Sequence, residues 1–193
     1  MDGGDGTGDV LKLSAGKHTF GDDNKLKNIE KIETDSSGSE VILTAQKEAL
    51  EITGGDGVDK ITGGEGVDTI NVDKGTDTIA DLGGSSGGES YILVVSKDAI
   101  AKATVKVSFT ATSSTVNNAA NDVTKAIIST DTDGATIDMS SAQGVYTLTG
   151  GDGVDKITGC DGADTINAGK GDDEITVAAV SYTHLTLPTS DLV

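Results

Sequence analysis

Isoleucine recurs at a fixed interval in two stretches of this chain, each time between polar neighbours. Residues 54–80 read GGDGVDKIT, GGEGVDTIN and VDKGTDTIA, and residues 150–176 read GGDGVDKIT, GCDGADTIN and AGKGDDEIT. A single β-branched residue flanked by polar ones is typical of a short strand with one buried side chain. Each unit therefore predicts one such strand, centred on its eighth position: Ile61, Ile70, Ile79, Ile157, Ile166 and Ile175.

The first six positions of each unit, written G-G-x-G-x-D, predict a tight turn. Glycine adopts backbone angles that other residues avoid, and aspartate is common in turns. A turn followed by a short strand, repeated in tandem, coils the chain, so that two units form one coil of roughly 18 residues. Like turns then stack about 4.8 Å apart, which is the spacing of neighbouring strands in a sheet.

Short apolar runs outside the units predict further strands. Residues 41–44 and 50–53 precede the first block, and residues 91–96 form the most hydrophobic run of the chain. Residues 103–110, ATVKVSFT, alternate as one half-buried strand with Val105, Val107 and Phe109 on one side. Residues 117–128 fit either a short helix or a coil that ends in a strand. The pattern predicts an all-β protein, a parallel β-roll or β-helix solenoid with two repeat blocks and an intervening β-rich segment.

The two blocks are copies of one larger unit. They begin 96 residues apart, at positions 54 and 150, and agree at 19 of 27 positions. The same offset aligns VILTAQKEALEIT (41–53) with IDMSSAQGVYTLT (137–149) by spacing and apolar pattern. The duplicated unit is therefore strand, turn, strand and three nonapeptides, which indicates a repeated architectural module.

Composition narrows the classes of function. The chain of 193 residues has a net charge of −18, with 14 lysines and no arginine, which argues against nucleic acid and anionic membranes as partners. Aromatic residues make up only 3%, so we expect the thin core of a solenoid rather than a thick globular core. No apolar run approaches the length of a membrane span. Acidic, glycine-rich sequence is also typical of disorder, and we expect the repeats to be disordered without a ligand.

The stacked turns bring carboxylates together. Asp59 is expected over Asp77, and Asp155 over Asp173, because each pair is separated by two units. Such pairs repel one another unless a cation lies between them. Calcium accepts six to eight oxygens in loose geometry, which suits a mixture of aspartate oxygens and turn carbonyls, whereas magnesium demands a tighter octahedron. Ordinary turns without metal are the alternative interpretation.

The unit G-G-x-G-x-D-x-Ile-x resembles the hemolysin-type calcium-binding repeat of RTX proteins. The resemblance implies a calcium-filled parallel β-roll, type I secretion and folding outside a bacterial cell, in a surface-layer or adhesin-like protein. It implies calcium as the bound ion, and self-assembly or a cell-surface polysaccharide as further partners. Carried over by position, the ligands are the sixth-position carboxylates and turn-glycine carbonyls: Asp59, Asp68, Asp77, Asp155, Asp164, Asp173, Gly55, Gly57, Gly151 and Gly153.

Three units supply only one stacked pair of like turns, so we expect one complete site per block. By the same spacing Asp68 would meet Ser86, and Asp164 would meet Tyr182, which leaves half-sites at the rims. Val72-Asp73 and Ala168-Gly169 replace the glycine pair in the third unit of each block, and Cys160 takes a glycine position in the fifth unit.

The organisation that follows has five parts. Residues 1–53 are a degraded repeat with non-calcium β coils, 54–82 the first block, 83–149 the intervening segment and 150–180 the second block. Residues 181–193, SYTHLTLPTSDLV, abandon the Gly/Asp pattern and resemble a translated sequencing adapter or expression scar. The opening resembles the middle of a repeat region without a signal peptide, and we expect a fragment of a larger protein.

No catalytic constellation stands out, and we expect no enzyme within this chain. There is no H-E-x-x-H and no G-x-S-x-G, and the carboxylates have the spacing of metal ligands. The alternative is the calcium-binding accessory region of a secreted protease or lipase whose catalytic domain lies outside this chain.

Overall fold

A computed structural model describes residues 1–83, 91–119 and 122–177, and the backbone of residues 184–186. All regular structure in these residues is strand, and every strand pair is parallel. The strands are β1 (Val10–Leu13), β2 (Gly16–Thr19), β3 (Lys31–Thr34), β4 (Ser39–Ile42), β5 (Glu51–Thr53), β6 (Lys60–Thr62), β7 (Thr69–Val72), β8 (Gly75–Ala80), β9 (Ile92–Val95), β10 (Ala99–Val105), β11 (Ser108–Thr110), β12 (Val116–Asn117), β13 (Ala126–Thr130), β14 (Thr136–Asp138), β15 (Thr147–Thr149), β16 (Lys156–Thr158), β17 (Thr165–Asn167), β18 (Glu174–Thr176) and β19 (His184–Thr186).

These strands form the three faces of a β-solenoid. The spine sheet has nine strands in the order β19-β17-β15-β13-β10-β8-β6-β4-β2 and runs through the described chain. The first side sheet, β1-β3-β5-β7-β9-β12, flanks its early part. The second side sheet, β11-β14-β16-β18, flanks its later part. The predicted all-β parallel solenoid is confirmed.

Buried aliphatic residues from successive strands form columns along the inside of the sheets. In the first block Ile61 pairs with Ile79, and in the second Ile157 pairs with Ile175, so two nonapeptides make one coil as the period predicts. The spine column continues through the intervening segment in successive strands: Val41, Ile61, Ile79, Ala103, Ile128, Leu148 and Ile166. Burial of these stacked side chains is the main force that holds coils together.

The intervening segment has coils of three strands rather than two. Strands β9, β10 and β11 visit the first side, spine and second side sheets in turn, and β12, β13 and β14 repeat the circuit. The prediction of a single strand over 103–110 is wrong, because the chain turns a corner at Lys106 and leaves Val107 46% exposed while Val105 and Phe109 are buried. In the 117–128 stretch, the described part ends in strand β13 rather than forming a helix.

This three-sided segment moves the second repeat block to a different pair of faces. The first block alternates between the spine (β6, β8) and the first side sheet (β7). The second block alternates between the second side sheet (β16, β18) and the spine (β17). Fully buried aromatic side chains lie in or beside the wider segment, at Tyr91, Phe109 and Tyr146, where a larger cross-section needs filling.

Part of the predicted non-native tail joins the fold. Strand β19 pairs with β17, which places Leu185 beside Ile166 as the last rung of the spine sheet. The origin of this tail stays a prediction. Within the described residues no helix has the length and apolarity that crossing a membrane requires.

Candidate metal centre

The glycines of the first block are required because its turns stack in direct contact. A Cβ on Gly57 would lie 2.1 Å from the amide nitrogen of Gly38 in the preceding coil, and one on Gly75 would lie 1.9 Å from the carbonyl oxygen of Gly57. Gly75 also has a φ of +96°, which favours glycine. The repeat pattern therefore packs turn backbone against turn backbone, with carbonyl oxygens directed into the gap between coils.

Asp59 and Asp77 lie one above the other at the edge between the first side sheet and the spine. The amide of Asp59 donates to Oδ1 of Asp77 at 2.7 Å, and the amide of Ser39 donates to Oδ1 of Asp59 at 2.7 Å. Each carboxylate thus faces the coil before it. Both residues are buried, and Oδ2 of each has no hydrogen-bond partner. A buried carboxylate oxygen without a partner is costly, and a bound cation would supply the missing interaction.

The second block repeats this arrangement at the edge between the spine and the second side sheet. The amide of Asp155 donates to Oδ1 of Asp173 at 2.9 Å, and Oδ2 of Asp173 is buried without a partner. A Cβ on Gly169 would lie 2.2 Å from the carbonyl oxygen of Gly151, and one on Gly171 would lie 1.9 Å from that of Gly153. Two predicted carbonyl ligands therefore face the gap beside Asp173.

The donor set fits calcium. No group of three or more Asp, Glu, His or Cys side chains that could hold a metal ion occurs among the described residues. The carboxylates lie in pairs, so the backbone carbonyls of the stacked turns must supply the remaining oxygen ligands of an ion. Calcium accepts such a mixture of oxygens at variable angles. In the first block the carbonyl of Gly57 faces the gap, while the amide of Gly55 donates to Thr34 Oγ1 at 2.8 Å.

Asp68 lies in a different environment from Asp59 and Asp77. Its Oδ1 accepts from the amide of Leu50 at 3.0 Å, and its Oδ2 accepts from the amide of Gly64 at 2.9 Å, so both oxygens have partners. In the next coil Tyr91, rather than the predicted Ser86, lies in register with Asp68, because Thr69 pairs with Ile92. The buried hydroxyl of Tyr91 donates to the carbonyl of Gly64. Ser86 itself lies outside the described residues.

Both carboxylate oxygens of Asp164 also accept hydrogen bonds from backbone amides, and a cysteine side chain fills the gap that Asp164 faces. Its Oδ1 accepts from the amide of Tyr146 at 2.8 Å and its Oδ2 from the amide of Cys160 at 2.8 Å. The Cys160 thiol, in a glycine position of the repeat, lies 3.3 Å from the carbonyl oxygen of Gly144. Side chains thus occupy the space between these turns. As calcium ligands, Asp68 and Asp164 remain predictions from the repeat pattern, and their surroundings fit an ion less well. Tyr182, which the spacing predicts to meet Asp164, lies outside the described residues.

Burial disfavours the charged form of these carboxyl groups in the metal-free chain. It raises the pKa of Asp77 to about 6, and the nearby charge of Asp59 adds to that rise. Burial also raises the pKa of Asp68 to about 6 and raises the pKa of Asp59 and of Asp164. Desolvation is the largest cause in each case, so a cation at Asp59 and Asp77 would restore the ionised form.

Several contacts at these edges were not predicted from the sequence. Lys74 forms an ion pair with Asp56 at 2.9 Å, and Lys170 forms one with Asp152 at 3.1 Å, each across one coil. These residues share the third position of the repeat in both blocks, which is the signal that could have identified them. The pairs are exposed, so each contributes little to stability.

Comparison with known proteins agrees with this geometry. The RTX calcium-binding nonapeptide repeat family model matches residues 51–79 and 147–176, and that model describes four copies of the repeat. The matched ranges contain all of the predicted aspartate and glycine ligands. No curated protein and no solved structure matches the chain significantly. The chain thus carries RTX-type calcium-binding nonapeptide repeats in two blocks.

Proposed function

We propose that this chain is the calcium-folded structural module of a secreted bacterial RTX protein, of the surface-layer or adhesin-like type. The observation that carries the proposal is the stacking of Asp59 and Asp77, with the buried, unpartnered Oδ2 of Asp77 beside a gap lined by backbone carbonyls. Calcium outside a cell reaches the millimolar range that extracellular sites of modest affinity require. Inside a cell, low calcium and a net charge of −18 would keep the chain unfolded and exportable.

The role that we propose is structural rather than catalytic. The spine sheet runs without a break from one block through the three-sided segment to the other, which suits a long array of modules. Calcium would set the shape of the array, because binding free energy becomes folding free energy when the site forms only in the folded state. Self-assembly or attachment to a cell-surface polysaccharide would be the use of such an array.

Circular dichroism with and without calcium tests the proposal. After rigorous chelation the β-sheet signal should be lost, and millimolar calcium should restore it while magnesium does not. The double variant Asp77→Asn, Asp173→Asn removes one carboxylate from each stacked pair. It should need far more calcium than the wild-type protein to fold. Identical spectra for chelated and calcium-loaded wild-type protein would contradict the proposal.

The alternative role, an accessory region of a secreted protease or lipase, is decided by the full-length gene. An upstream zinc-protease or nucleophile-elbow motif would favour the accessory role. Further duplicated strand-and-repeat modules would favour the structural array.

A further inference from the structure

Two turns outside the nonapeptide repeats make the same contacts in both halves of the molecule. Residues 34–38 are TDSSG and residues 130–134 are TDTDG, and they are separated by the 96-residue offset of the repeat blocks. Both lie upstream of the ranges that the repeat family matches. The duplicated structural unit therefore begins earlier than the repeat motif, at a turn with a different sequence.

Each of these turns packs directly against the first repeat turn of its block. The amide of Gly55 donates to Thr34 Oγ1 at 2.8 Å, and the amide of Gly151 donates to Thr130 Oγ1 at 2.7 Å. A Cβ on Gly55 would lie 2.2 Å from the carbonyl oxygen of Asp35, so this carbonyl is directed at the repeat turn.

The second copy has the same geometry. A Cβ on Gly151 would lie 1.9 Å from the carbonyl oxygen of Asp131, and one on Gly153 would lie 2.6 Å from that of Asp133. Gly38 and Gly134 share a left-handed φ, +84° and +80°. The residues that differ between the copies are the middle ones, Ser36 and Ser37 against Thr132 and Asp133. The two ends of the turn are therefore the same in both copies.

The Asp59 carboxylate points into the gap between residues 34–38 and its own turn. Its Oδ1 accepts from the amide of Ser39, the residue that follows the 34–38 turn, at 2.7 Å. Its Oδ2 makes no hydrogen bond of its own although Asp59 is only 1% exposed, while the Thr34 hydroxyl and the Gly55 amide lie close enough to lower the pKa of the carboxyl group against the effect of burial. Asp77 faces the next gap along, because its Oδ1 accepts from the amide of Asp59. Each carboxylate thus faces the gap on the side of the preceding coil. The gap beside residues 34–38 therefore contains the carboxylate of Asp59.

We propose that the gap between residues 34–38 and residues 54–59 is an additional cation site, one turn beyond the repeats. The ligands are Oδ2 of Asp59 and backbone carbonyl oxygens that include that of Asp35, a set that suits a hard divalent cation such as calcium. The inference rests on the proposed function, since the same ion would fill both kinds of gap.

The equivalent gap between residues 130–134 and 150–155 is the second such site. There Oδ2 of Asp155 accepts from the amide of Gly151 at 2.9 Å, a bond that an ion has to displace. The site in the second half therefore binds more weakly than the site at Asp59.

Counting bound ions by native mass spectrometry separates this inference from the proposed function. With one ion in each gap between repeat turns and one beside each upstream turn, saturated protein holds four calcium ions. Two ions would overturn the additional sites and leave the proposed function intact. No bound calcium would overturn both.

Anomalous scattering from calcium-soaked crystals then locates the ions. Wild-type protein should show a peak in the gap between residues 34–38 and Asp59. The matched variants are Asp59→Asn, which should lose this peak, and Asp77→Asn, which should keep it while losing the peak between the repeat turns. A wild-type map without a peak at Asp59 and Asp35, or an Asp59→Asn map that retains it, would overturn the inference. If either variant does not fold, the wild-type map decides.

Discussion

The amide of Asp59 donates a 2.7 Å hydrogen bond to Oδ1 of Asp77, the aspartate 18 residues further along the chain. This bond fixes two acidic side chains in one column, and each keeps a second buried oxygen without a partner. An amide-to-Oδ1 bond also joins Asp155 to Asp173, but there only Oδ2 of Asp173 lacks a partner. In the folded chain the backbone thus holds two carboxylates close together, and we expect a cation to compensate for their charge.

The two edges of the first block should respond differently to loss of an aspartate. Asp77→Asn removes a carboxylate whose Oδ2 faces a carbonyl-lined gap, and we expect calcium affinity of that block to fall roughly 10- to 100-fold, as with other residues that hold a metal site. Asp68→Asn is the matched control, because both oxygens of Asp68 already accept backbone amides. Titration calorimetry should show a much smaller loss of affinity for that variant. Equal losses would mean that both edges bind calcium.

Mild acid should partly replace calcium. Burial raises the folded-state pKa of Asp68 and Asp77 to about 6, against about 3.9 in an unfolded chain. The stability from protonation is therefore fully present below about pH 4 and is lost as pH rises through about 6. Asp77 faces Asp59 in the coil before and Ala101 in the coil after, and neither offers a positive charge.

We expect chelated protein to gain β-structure when the pH falls from 7 to 5, measured by circular dichroism. Asp77→Asn should show a smaller gain, because the group no longer titrates. A chelated protein that loses structure over this range would contradict the expectation. Calcium-loaded protein should behave in the opposite way, since protons compete with the ion for the same carboxylates.

The thiol of Cys160 should report on folding. It is buried, it lies 3.3 Å from the carbonyl oxygen of Gly144, and burial raises its pKa to about 12. Thiolate is the reactive form, so we expect very slow reaction with an aromatic disulfide reagent in calcium and fast reaction after chelation. Urea-unfolded protein gives the upper limit of the rate. Equal rates with and without calcium would show that the ion does not order this turn.

The isoleucine column should carry most of the stability of a repeat block. Ile61 is fully buried between Val41 and Ile79, and Ile61→Ala should cost about 2–4 kcal/mol of unfolding free energy in saturating calcium. Val58→Ala is the matched control, because Val58 is 70% exposed in the same turn, and it should change the free energy by less than about 0.5 kcal/mol. Urea denaturation measures both. A similar cost for the two variants would contradict a core made from the eighth position.

The repeat period was enough to predict the coil. Ile61 and Ile79 are paired as the spacing of two nonapeptides requires, because turn and strand alternate with an unvarying length there. The stacking of Asp59 and Asp77 follows from the same register. Where the period is kept, one-dimensional sequence therefore specifies contacts between coils.

The period could not predict what happens where it lapses. The alternating pattern of residues 103–110 does not reveal the corner at Lys106. It predicts that Val107 is buried, although Val107 is 46% exposed. The coil after Asp68 is lengthened, so Ile70 pairs with Leu93 and Tyr91 takes the place expected for Ser86. The upstream turn at Asp35 lacks the glycine motif, and only its contacts with Gly55 show that it belongs to the same edge.

The most direct measurement is an anomalous difference map at the calcium-bound gap between residues 54–59 and Asp77. The account predicts a peak within bonding distance of a carboxylate oxygen of Asp77 and of the carbonyl oxygen of Gly57, and its loss when the crystals are soaked in chelator. A chain folded as described here, in millimolar calcium, with only water in that gap would contradict it.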